Sequence, residues 1–75
     1  MRLKVKLCDA VMIKNLVLAA EHLPCDVDLQ SGSFVIDAKS ILSVLGLPKK
    51  DAGILYVHSD DPIICTPFLE KLEYL

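Results

Sequence analysis

Asp37-Ala38-Lys39-Ser40-Ile41-Leu42-Ser43-Val44-Leu45-Gly46-Leu47 contains a start signal, an apolar stripe and a stop signal for a short helix. Either Asp37 or Ser40 can accept a backbone hydrogen bond at the first turn, depending on where the helix begins. Ile41, Val44 and Leu45 recur at the spacing that places side chains on one helical face. Gly46 is expected to take the left-handed conformation that ends a helix, and Pro48 prevents its resumption. A strand-turn-strand pattern precedes this helix and a further strand follows it.

Toward the N-terminus, Cys25 to Gln30 alternates apolar and polar residues, with Cys25, Val27 and Leu29 inward. Ser31-Gly32 supplies the turn, and Ser33 to Ile36 is the return strand of a hairpin. Ahead of these, Ala10 to Leu23 carries Ile13, Leu16, Val17, Ala20 and Leu23 at helical spacing. Asp9 is its expected cap, and Pro24 stops it. Arg2 to Leu7 alternates strictly, so Leu3, Val5 and Leu7 face a core while Arg2, Lys4 and Lys6 face water.

Toward the C-terminus, Lys49-Lys50-Asp51 is a charged connection and Ala52 to Ser59 is the last strand. Leu55 and Val57 lie on one of its faces; Ile54, Tyr56 and His58 lie on the other. Asp60-Asp61-Pro62 reads as a turn. Thr66-Pro67 reads as a cap followed by proline at the first helical position, with Phe68, Leu69, Leu72 and Leu75 as the stripe of a terminal helix. Ile63 to Cys65 fits either an extra helical turn or a loop.

The element order is therefore β-α-β-β-α-β-α in a single α+β domain over residues 1–75. Each strand has one apolar face, so one antiparallel sheet covered on that face by three helices satisfies the pattern. The first helix brings the second strand back parallel to the first. An antiparallel sheet then needs a strand between them, and the fourth is available, giving the order 1-4-2-3.

Composition narrows the function. The chain has 53% apolar residues, few aromatics and a formal net charge of −2, which leaves no basic surface for nucleic acid. Its longest nearly apolar run, Leu16 to Ala20, falls far short of the roughly 20 residues that span a bilayer. Its first residues alternate in charge, unlike a signal-peptide core, so a cytoplasmic location is expected. Cys8, Cys25 and Cys65 are odd in number and lack the paired spacing of a zinc site, so reduced and mostly buried thiols are expected. No cofactor or metal is implied.

Lys39 to Leu47 also resembles the segment around the regulatory serine of HPr, the histidine-containing phosphocarrier of the bacterial sugar phosphotransferase system. The resemblance runs without a gap from about Ala20 to about Val57, and the remaining elements follow the same order. It implies an HPr-like open-faced sandwich, whose sheet order is also 1-4-2-3. In that family a G-I-H-A-R-P run presents the phosphorylated histidine. Counting back without gaps places this run on Leu7-Cys8-Asp9-Ala10-Val11-Met12, where Asp9 replaces the histidine and Val11 the arginine.

The resemblance thus implies a divergent member without histidine phosphotransfer, a non-enzymatic regulatory module with protein partners. Ser40 matches the serine offered to a regulatory kinase. Ile41, Leu42 and Leu45 match the apolar patch through which HPr docks, and Leu42 lies furthest from the buried stripe. The alternative is a phosphocarrier with an unusual acceptor, Asp9 or His58. Asp9 is otherwise an ordinary cap, Cys8 an inert thiol, and His22 a residue near a helix end. The open sheet face, with Arg2, Lys4 and Lys6 on one side and Asp26 and Asp28 on the other, is a third candidate, a surface for a partner or for self-association.

Overall fold

The structure, a computed structural model, describes residues 1–47 and 52–73. Its elements are β1 (Arg2–Lys6), α1 (Ala10–Glu21), β2 (Val27–Ser31), β3 (Phe34–Asp37), α2 (Ile41–Leu45), β4 (Ala52–Val57) and α3 (Pro62–Glu73). The four strands form one antiparallel sheet in the order β1-β4-β2-β3. Order and topology match the expectation from the apolar patterning. The connection read at Lys49-Lys50-Asp51, the stop at Pro48 and the last stripe residue, Leu75, lie outside the described residues.

The core forms where the apolar faces meet. Leu29, Leu55, Val27 and Val57 project from the sheet onto Ile13, Leu16, Val17 and Ala20 of α1, Val44 of α2 and Phe68 of α3. Leu7, just past β1, is fully buried, while Leu3 and Val5 are only partly covered because β1 is an edge strand. Asp9 caps α1 as its position requires: its Oδ1 accepts the Met12 amide at 2.8 Å. The helix ends at Glu21 with His22 as C-cap, so Leu23 and Pro24 lie beyond it.

The hairpin turn is Gly32-Ser33 rather than Ser31-Gly32, with Ser31 paired to Phe34. Among the described residues Gly32 alone takes a positive φ, 60°, as expected for the first residue of a tight turn whose twist matches the strands it joins. A one-residue displacement of the loop leaves Val27 and Leu29 on the core side, because the alternation in β2 is unchanged.

Two helix boundaries differ from the sequence reading. Gly46 is right-handed, with φ −79° and ψ −3°, and donates its amide to the Leu42 carbonyl at 3.0 Å. The short helix thus ends in a continuing turn, which carries Leu47 into the core. In α3 the cap is Asp61 and the first-turn proline is Pro62, not Thr66 and Pro67. Asp61 Oδ1 accepts the Ile63 amide at 3.0 Å and its carbonyl accepts those of Ile64 and Cys65. Ile63 to Cys65 is therefore the first turn of the helix, and it buries Cys65.

Pro67 sits inside α3 and removes the amide that would bond the Ile63 carbonyl. Ile63 itself is 83% exposed. Asp61→Ala should lower stability by about 0.5–2 kcal/mol through the lost cap. A thermal melt checks it, and Thr66→Ala, at the displaced position, should change little.

Candidate functional site

Helix α2 is five residues long and cannot bury an entire stripe. Val44 is fully enclosed and Ile41 packs partly against the core, whereas Leu45 is 38% exposed and Leu42 80% exposed. Leu45, expected to be shared between core and surface, is left largely at the surface, with Leu47 in the core beyond the helix. The result is an apolar surface of Leu42 and Leu45, continuous along one short element with the half-buried Ile41.

This element is firmly placed. Ala38 is fully buried and donates its amide to the Val27 carbonyl at 2.9 Å. The Lys39 Nζ reaches across to donate to the Leu23 carbonyl at 2.9 Å, tying the entry of α2 to the end of α1. Asp37 caps the turn before the helix by accepting the Lys39 amide at 2.9 Å. Ser40 is the helix cap itself, and its Oγ accepts the Ser43 amide at a long 3.4 Å. A bond of that length is weak, so the hydroxyl is only loosely committed to the helix.

At the start of α1 stands Asp9, whose carboxylate is engaged by the Met12 amide. Next to it Cys8 is exposed, contrary to the expectation that the thiols are mostly buried. Only Cys65 is buried, where its Sγ donates to the Ser59 carbonyl at 3.2 Å; Cys25 is half-buried. Met12 is half-buried, and its neighbour Val11 stands in solvent.

Neither histidine lies at the start of α1. His22 is at its far end, its Nδ1 2.7 Å from the Leu18 carbonyl oxygen, which only accepts, so Nδ1 carries the proton. His58 is on the open face of the sheet, its Nε2 2.7 Å from Asp28 Oδ2. Beside it the Tyr56 hydroxyl donates to Gln30 Oε1 at 2.9 Å, and the Arg2 guanidinium lies 5.7 Å from the centre of the Tyr56 ring. Sequence reasoning put Asp28, Tyr56 and His58 on this face but did not pair them. It also missed Val35 and Asp37, which the register places on the same face opposite Gln30 and Asp28.

No protein-family model matches this chain, and no curated protein matches it in sequence. Its fold is similar to that of the crystal structure of HPr-C-His from Thermoanaerobacter tengcongensis, with a TM-score of 0.68. The match covers 100% of this chain and 89% of that chain at 17% identity. The chain has the HPr-like fold. Among the described residues, no helix is long and apolar enough to cross a membrane.

Proposed function

We propose that this protein is a non-enzymatic, cytoplasmic binding module related to the bacterial sugar phosphotransferase system, which docks regulatory protein partners through α2. The supporting observation is Leu42. It is 80% exposed on a helix whose packing needs only Val44 and part of Ile41, so nothing in the fold requires an apolar residue there. Leu42, Ile41 and Leu45 together supply the apolar centre that a protein interface needs. The cap role of Asp9 accounts for that residue without phosphotransfer chemistry.

Ser40 is the proposed regulatory phosphorylation site, beside that surface. A phosphate there adds two negative charges next to Leu42 and changes which partners can approach. The test uses an HPr-type kinase with ATP on the wild type and Ser40→Ala, followed by mass spectrometry and denaturation. One phosphate on the wild type and none on Ser40→Ala supports the proposal. No phosphate on either removes it, leaving Ser40 as a cap whose loss costs about 0.5–2 kcal/mol.

A second reading is phosphotransfer through an unusual acceptor, and one observation favours it. His58 is half exposed and held by Asp28, an arrangement that orients an imidazole and fixes its tautomer.

A further inference from the structure

The sheet face turned away from the helices is polarised from edge to edge. β1 presents Arg2, Lys4 and Lys6 at one edge; β2, β3 and the residue preceding β2 present Asp28, Asp37 and Asp26 on the other half. Between them lie Ile54 and Tyr56 of β4. The register sorts these side chains into rows across the strands. One row runs Arg2, Tyr56, Asp28, Asp37; the next runs Lys4, Ile54, Gln30, Val35.

Asp28 and Asp37 stand directly opposite each other, an arrangement of like charges that costs stability. Asp28 has His58 as a partner, while Asp37 is engaged by the Lys39 amide and forms no ion pair among the described residues. Val35 is 63% exposed beside them. The face therefore offers three cations, three carboxylates and an apolar centre, with the two signs on opposite halves.

We propose that two copies of this chain pair face to face through this surface, with the two-fold axis running along the strands between β4 and β2. That axis turns the order 1-4-2-3 over onto itself reversed, so β1 of one copy lies above β3 of the second, and β4 above β2. Position along the strands is preserved, so each row meets its own reverse. Arg2 then faces the second copy's Asp37, Tyr56 faces its Asp28, Ile54 faces its Gln30, and Lys4 covers its Val35. Every contact occurs twice. An axis across the strands would instead set β1 on β1 and bring lysine against lysine, which is repulsive.

The size of the face sets the strength. Four strands spaced about 4.8 Å apart and five residues rising about 3.4 Å each give a footprint of about 330 Å². Stable complexes bury about 800 Å² per partner. The pair is therefore in rapid exchange, forms at high protein concentration and weakens with salt. It is independent of α2, which lies on the other side of the sheet.

Sedimentation velocity from micromolar to millimolar protein, at low and high salt, tests the pairing. The mass should rise from 8.3 kDa toward twice that value at low salt and fall back at high salt. Arg2→Asp and Asp37→Arg should each stay monomeric where the wild type is half dimeric. An equimolar mixture of the two should dimerise again, because the mixed pair has one contact with its signs exchanged and the other as in the wild type. Asp37 also caps a turn, so Ile54→Lys provides a second arm: it should abolish the dimer while melting within a few degrees of the wild type. A wild type monomeric throughout overturns the proposal and leaves the face to a different protein. So does a dimer that survives both Arg2→Asp and Ile54→Lys. Leu42→Glu should leave the dimer intact.

Discussion

Val44→Glu unfolds the domain, while Leu42→Glu, two residues away on the same helix, leaves it folded. Val44 is completely enclosed among the core residues of the sheet and α1. An unpaired carboxylate there costs several kcal/mol, a large share of the about 5–15 kcal/mol by which folded domains exceed their unfolded chains. Leu42 is on the outer side of α2, where a surface substitution changes stability by about 0.5 kcal/mol or less. A carboxylate near the start of a helix is, if anything, favourable. In a domain of this size 1 kcal/mol moves the melting temperature by roughly 4–8 °C, so a thermal scan separates the pair at once. Should Leu42→Glu also unfold the protein, the residue is part of the core and the docking surface on α2 is wrong.

Gly53→Ala is the second large effect, and it arises at a residue that looks unremarkable in the sequence. Gly53 is buried in β4 on the core side, opposite Val5. A Cβ there would lie 2.9 Å from the Gln30 carbonyl oxygen and 2.9 Å from Leu29 Cδ1, with Leu7 Cδ1 at 3.5 Å. The oxygen belongs to the backbone of β2, which pairs with β4 along its length, so it cannot yield without separating the two central strands. Leu29 and Leu7 are both fully buried within the core. Overpacking of this kind costs about 1–3 kcal/mol for one methyl, and Gly53→Val should cost more. Denaturant titration of both variants checks the order. Equal stability of Gly53→Ala and the wild type would mean that the strands are less tightly apposed than the structure shows.

The features legible in the sequence are those set by local pattern. Strict alternation in Arg2 to Leu7 and in Cys25 to Gln30, and helical spacing in Ala10 to Leu23, tell core faces from solvent faces, and the sheet order follows from them. Leu42 was distinguishable because its neighbours Ile41 and Val44 define the stripe it leaves. What was not legible depends on competition or on distance. Asp61-Pro62 and Thr66-Pro67 carry the same cap-and-proline signal, and the burial of Cys65 and Phe68 together decides for the earlier one. Leu45 fits the stripe by spacing, but a five-residue helix followed by an inward Leu47 leaves it at the surface. His58 and Asp28 are 30 residues apart and meet only once β2 and β4 pair, as do Tyr56 and Gln30. The close approach at Gly53 likewise exists only after Leu7, Leu29 and Gln30 have been brought around it.

An HPr-like fold that serves binding without phosphotransfer accepts no phosphoryl group. Incubation with enzyme I and phosphoenolpyruvate, followed by intact mass, tests it most directly, with Asp9→Ala and His58→Ala run alongside. The wild type should keep its unmodified mass, since Asp9 is occupied as a helix cap and the His58 Nε2 is engaged by Asp28. Stoichiometric, acid-labile phosphate on the wild type would contradict it, and the variant that loses the phosphate would identify the acceptor.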